Sequence, residues 1–215
     1  PLLENDFDLI LPDVRGFGES ATVETPYSMA DIAADLAAVL DSLEIEKAAF
    51  AGHSMGGYVA LAFAKEFPDR VSGLSLISSQ AAGDPPERKE GRYKTAADVS
   101  EKGVQIVAAA MTDKLSPNQS VRDFVRSLIG VQSVSGVTGA LKAMAEREDL
   151  TSFLASFEHP LVLIHGDADE LIPVDRAREI KSLVPAAHLV ELPGTGHMPM
   201  MEQPERIAEA LKHLK

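Results

Sequence analysis

Gly52-His53-Ser54-Met55-Gly56 is the stretch that decides how this chain is read. An apolar run, Ala48-Ala49-Phe50-Ala51, precedes it, and a helix-like run from Tyr58 to Lys65 follows it. That context predicts a strand, a sharp turn and a helix, with Ser54 on the turn. A serine on such a turn is lifted out of the sheet edge. Its flanking glycines avoid the Cβ clashes that a tight strand-to-helix junction creates. The following backbone N–H, that of Met55, then sits at a helix N-terminus, where negative charge is favoured. Met55 is therefore the candidate oxyanion donor.

Outward from this point, the pattern alternates. Phe7 to Pro12 reads as a short buried strand and Asp13 to Ser20 as a glycine-punctuated loop. Ser28-Met29-Ala30-Asp31 predicts a capping box, opening a helix with Ile32, Leu36, Val39, Leu40 and Leu43 at helical spacing. Lys47–Gly52, Val71–Ile77, Pro160–His165 and His188–Glu191 read as strands. Helices are expected after the turn up to Pro68, over Val174–Leu183, and over Pro204–Leu214 with proline in the first turn. Strands alternating with helices predict an α/β fold, a mostly parallel sheet with helices on both faces. From about Gln80 to Phe157 no strand is expected. Gly83–Glu90 reads as a polar linker, followed by helical stretches over Lys94–Ala97 and Val104–Met111, Ser120–Leu128 and Val137–Glu146. The expected organisation is a core of residues 1–80 and 158–215 with a helical insertion over 81–157.

A serine hydroxyl needs a base within hydrogen-bond reach, and the base needs a group to orient it. Loops after the later strands offer both. Asp169 lies in His165-Gly-Asp-Ala-Asp169, and His197 in Gly194-Thr-Gly-His197. Asp167 competes with Asp169 for the acid role, and its alternative is to support the acid from behind or to cap a helix. His165, Asp167 and Asp169 alternate, which is a weak pattern for a metal, and no metal or cofactor is expected. His53 is read as packing beneath the turn. Asp13 and Arg15 are read as stabilising their loop by an ion pair or hydrogen bonds, with substrate contact as the alternative, and Met198, Met200 and Met201 as pocket lining or core filling. His159, His188 and His213 have no evident partner in sequence.

With these residues in place, the chain resembles the α/β-hydrolase superfamily, in the style of small carboxylesterases, enol-lactone hydrolases and cofactor-free haloperoxidase-like enzymes. The matching pieces are Pro12–Ser20, Gly52–Gly57, His165–Asp169 with Pro173, and Gly194–His197. The resemblance implies a catalytic Ser54, Asp169 and His197, in the order nucleophile, acid, base. It implies that residues 81–157 cap the active site. It also implies acyl transfer from a small-molecule ester to water, with lactone hydrolysis, carbon–carbon bond hydrolysis, perhydrolysis or ligand binding without turnover as alternatives on the same scaffold. The family normally places further strands, and a His-Gly loop carrying a second oxyanion donor, ahead of the segment that opens this chain. No such loop lies between Pro1 and Pro12. The expectation is an N-terminally short sheet with an open edge, which favours pairing into a homodimer.

Composition narrows the partners. The net charge of −13 over 215 residues argues against nucleic acid and against an anionic membrane surface. There is no cysteine, hence no thiol chemistry and no disulfide, which fits a cytoplasmic protein.

Overall fold

Ala48–His53 (β1), Val71–Ile77 (β2), Leu161–Gly166 (β3) and His188–Leu192 (β4) form one parallel sheet in the order β1-β2-β3-β4. The computed structural model describes residues 1–22, 24 and 26–215. Register pairs Leu76 with both Gly52 and Leu163, and Gly166 with Leu192. The carboxyl ends of the strands therefore finish together, and ligands bind at that end of such sheets.

Side chains alternate between the two faces as the period of two requires. Leu74, Leu76, Leu161 and Leu163 pack against Ala60 and Leu61 of α2 (Met55–Glu66) and Ala177 and Ile180 of α8 (Asp175–Leu183). Ile77, Val162, Ile164 and Leu192 face the other way, onto Ile207, Ala210 and Leu211 of α10 (Pro204–Leu211), which follows the short α9 (Pro199–Glu202). A single 3₁₀ turn, Lys212–Leu214, replaces the end of the expected closing helix. α1 (Met29–Ser42) lies on α2 and carries the predicted box: Ser28 Oγ accepts from the Asp31 N–H, and the Asp31 carboxylate accepts from the Ser28 N–H. No helix is long and apolar enough to cross a membrane among the described residues.

Between β2 and β3 the described elements are all helices joined by loops: α3 (Pro86–Lys102), α4 (Gln105–Leu115), α5 (Gln119–Gly130), α6 (Val134–Ala145) and the short α7 (Thr151–Leu154). The expected linker over Gly83–Glu90 is thus corrected, because α3 already begins at Pro86. Proline has no N–H to satisfy, so it costs nothing in the first turn of a helix.

The strand expected over Phe7–Pro12 does not form. The segment has no ladder partner among the described residues, and Leu9, Ile10 and Leu11 are exposed at 48%, 39% and 88%. An apolar run is buried on both faces only inside a covered sheet, and this segment lies outside it. Only the start is anchored, by Phe7 against the α10 face of the sheet and by Asp6 to Lys212 and Lys215. β1, whose outer neighbour would lie on this side, is the edge of the sheet, with Ala51 exposed.

Candidate active site

Ser54 leaves the end of β1 with φ +52° and ψ −114°. That left-handed backbone costs a non-glycine residue about 1–3 kcal/mol and persists only when its surroundings over-determine it. Three hydrogen bonds do so here. The Ser54 N–H donates to Ile77 O at 2.9 Å, and its carbonyl accepts from Gly57 N–H at 3.0 Å and from Ser79 Oγ at 2.8 Å. Ser79 is a contributor that sequence patterns did not reveal.

The glycines are not equivalent. A Cβ on Gly52 would sit 2.2 Å from Gly56 O, and one on Gly57 would sit 2.3 Å from Ser79 Oγ. At Gly56 the space is open. The pentapeptide's second glycine is therefore not the one the turn demands, which corrects the expectation drawn from its flanking position. The close-approach role falls one residue later. Met55 opens α2, and the first N–H groups of a helix have no acceptor within it.

Asp169 and His197 arrive from the loops after β3 and β4. His197 Nδ1 is 2.7 Å from Asp169 Oδ2, and His197 Nε2 is 2.9 Å from Ser54 Oγ. Because Nδ1 faces a carboxylate, the proton sits on Nδ1 and leaves Nε2 free to accept from the serine hydroxyl. His197 is 3% exposed and Asp169 7%, so the pair is screened little by water. Burial alone would raise the Asp169 pKa. Hydrogen bonds from His165, His197 and the Ile172 N–H outweigh it and hold the carboxyl well below the usual carboxylate range. Asp169 Oδ1 accepts from the N–H groups of Leu171 and Ile172 at 2.9 and 3.0 Å, which fixes the carboxylate's orientation.

The competing residues lie elsewhere. Asp167 Oδ1 accepts the Gly194 N–H at 2.6 Å, tying the acid loop to the histidine loop as a brace. His165 Nε2 is 2.7 Å from Ile172 O and 3.4 Å from Asp169 Oδ2. His165 and Asp169 thus lie side by side, while Asp167 turns away to the Gly194 N–H, so the three do not meet at one point. Asp13 accepts from the Glu19 N–H, and Arg15 pairs with Asp35 through two contacts of 2.6 and 2.7 Å, so both stabilise their loop. Met198 and Met201 fill core space with Leu115, Val121 and Val125, and Met200 packs on the α10 side. His188 and His213, unpaired in the sequence reading, stack at 3.8 Å between centroids. His53 does more than pack. Its Nε2 lies 2.7 Å from the His197 carbonyl oxygen.

A family model described as the alpha/beta hydrolase fold matches residues 1–204. The chain belongs to the α/β-hydrolase family. A thermophilic esterase from Thermogutta terrifontis superposes with a TM-score of 0.94 at 35% identity, covering 98% of this chain and 80% of that one. The dihydrolipoyllysine-residue acetyltransferase component of an acetoin cleaving system from Pseudomonas putida is 32% identical over 98% of this chain. The chain spans 57% of that relative's length. A pimeloyl-[acyl-carrier protein] methyl ester esterase from Edwardsiella ictaluri is 28% identical over 98% of this chain and 84% of its own.

Proposed function

We propose that this α/β-hydrolase is a serine hydrolase of small carboxylic esters. The observation that carries the reading is the unbroken row Ser54 Oγ, His197 Nε2, His197 Nδ1, Asp169 Oδ2, at 2.9 and 2.7 Å. Ser54 attacks the ester carbonyl while His197 takes its proton. Asp169 holds the imidazole tautomer and stabilises the imidazolium. The Met55 N–H, at the start of α2, stabilises the tetrahedral oxyanion. His197 then gives its proton to the leaving alcohol, and in the second half-reaction activates the water that releases the acid. Two relatives described as esterases, one matched by structure and one by sequence, support an ester as the substrate class. The helices of residues 81–157 serve in this reading as the cap that shapes the pocket. Their support is the contact of Leu115 with the His197 loop. The cysteine-free sequence supports a cytoplasmic setting.

The test is hydrolysis of a series of short p-nitrophenyl esters with Ser54→Ala as the control. Turnover that disappears in folded Ser54→Ala is the expected result. Turnover that persists, or none in folded wild-type protein, would overturn the reading.

A further inference from the structure

The backbone of His197 is held at both of its polar groups. Its N–H donates to Leu115 O at 2.7 Å, and its carbonyl lies 2.7 Å from His53 Nε2. A carbonyl oxygen only accepts, so the neutral His53 ring carries its proton on Nε2 and donates. The two imidazole rings are 4.9 Å apart between centroids and tilted by 54°, too inclined for face-to-face stacking. His53 itself is fixed in β1, in register with Ile77 of β2, and the next residue is Ser54. The His197 loop is tied elsewhere to other segments, with the Gly194 N–H donating to Asp167 Oδ1 at 2.6 Å and the Gly196 N–H to Glu202 Oε2 at 3.0 Å. None of those partners lies on the strand whose end carries Ser54; His53 does, and it bonds the main chain of the residue whose imidazole stands 2.9 Å from Ser54 Oγ.

We propose that His53 is a positioning residue: its Nε2–H ties the His197 main chain to the strand end that carries Ser54, so that nucleophile and base share one frame. The proposal rests on the serine-hydrolase reading of the site. The donor persists over the working range. Burial, and then the neighbouring His197 ring, push the His53 pKa down to about 4. The other groups that bear on it are the His197 carbonyl and Asp169, which raise it, and His165, which lowers it further. Above that value the ring is neutral and its proton stays on the carbonyl side. A misplacement of a reacting group by about 1 Å costs on the order of 10²-fold in rate, so a tether of this kind has a large effect to exert.

Two substitutions separate a hydrogen-bond tether from simple packing. His53→Gln keeps an N–H donor of similar reach and discards the ring. His53→Phe keeps a ring and discards the donor. In folded protein, His53→Phe is expected to lower kcat by about 10- to 100-fold with KM within about twofold, because positioning acts on the chemical step. His53→Gln is expected to recover most of that loss. Wild-type kcat in His53→Phe, or equal loss in both folded variants, would overturn the proposal. A second readout is independent of turnover. Long-range ¹H–¹⁵N spectra of the histidine rings, with His53 assigned by its disappearance in His53→Gln, should show the Nε2–H tautomer. An Nδ1–H tautomer would overturn the proposal even if the esterase reading held. An Nε2–H tautomer in a protein without esterase activity would sink the esterase reading and leave the tether in place.

Discussion

The carbonyl of Leu115, at the C-terminal end of α4, accepts the backbone N–H of His197 at 2.7 Å. The last carbonyls of a helix lack partners within it, so this bond satisfies one of them while fixing the histidine loop. The helical insertion is thus joined directly to the proposed general base. The approach is close. A Cβ on Gly196 would lie 2.8 Å from Leu115 O and 3.0 Å from Ser116 Cα, both backbone atoms that cannot swing aside. Gly196→Ala should therefore force the two segments apart and lower kcat, on the order of 10²-fold for about 1 Å of displacement. Steady-state kinetics on a p-nitrophenyl ester checks it, and an unchanged kcat would show that the loop absorbs the methyl group.

The glycines of the turn make a graded series. Gly52→Ala places a Cβ 2.2 Å from Gly56 O, with the backbone on both sides fixed. Overpacking of this kind typically costs about 1–3 kcal/mol. Gly57→Ala meets Ser79, whose Oγ supports the Ser54 carbonyl, and should destabilise similarly. Gly56→Ala meets nothing within 4 Å and lies in the first turn of α2, where alanine is at least as well accommodated as glycine. Thermal unfolding of the three variants should order them with Gly56→Ala at or above wild type and the other two below it.

The features legible in sequence are those set by local periodicity. β2, β3 and β4 each read within a residue of their observed limits, because buried parallel strands are short apolar runs. Ser54, Asp169 and His197 were legible because each follows such a strand. Phe7–Pro12 reads the same way, yet a strand exists only where a neighbour offers a ladder, and no local pattern reports the neighbour. α3 was read short for a different reason. Only Ala96 and Val99 of its seventeen residues are buried, so it has almost no apolar stripe. It is held instead by Asp84, whose carboxylate is fully buried against arginines that a local reading leaves on the surface. The His53–His197 contact spans 144 positions and involves a main-chain carbonyl, which carries no side-chain signature.

Asp84 anchors the start of the insertion. Its side chain is completely buried against Arg147 at 2.8 Å, Arg88 at 3.5 Å and Arg92. Arg147 also donates to Met144 O and Ala82 O, and its guanidinium lies 4.2 Å above the Tyr58 ring of α2. Burial alone would raise the Asp84 pKa, but Arg92 and Arg147 hold the carboxyl below its ordinary value. Removing one member of a buried ionic group leaves the others uncompensated, at about 3–5 kcal/mol. Asp84→Asn should lower the urea midpoint by a corresponding amount. A change below about 1 kcal/mol would mean that water solvates these arginines or another carboxylate pairs with them once Asp84 is neutral.

Stability should fall on mild acidification, and His53 supplies the reason. Its pKa is about 4 in the folded protein against about 6.5 unfolded. Between those values the unfolded chain takes up a proton that the native ring refuses, so unfolding gains as pH drops. The contribution is intact above about pH 6.5, declines through the window, and levels off near pH 4, where the native ring also protonates. A shift of this size corresponds to at most about 3 kcal/mol. Asp169 acts lower down. Its native carboxyl ionises well below the usual range, so its contribution is present above about pH 4 and is lost as pH falls further. Urea unfolding measured from pH 7 to pH 4 should therefore show a steady loss in wild type and a flatter profile in His53→Gln, which has no proton to bind at that position. Parallel profiles for the two proteins would mean that His53 titrates alike in the folded and unfolded states, and that its ring is not held neutral by the site.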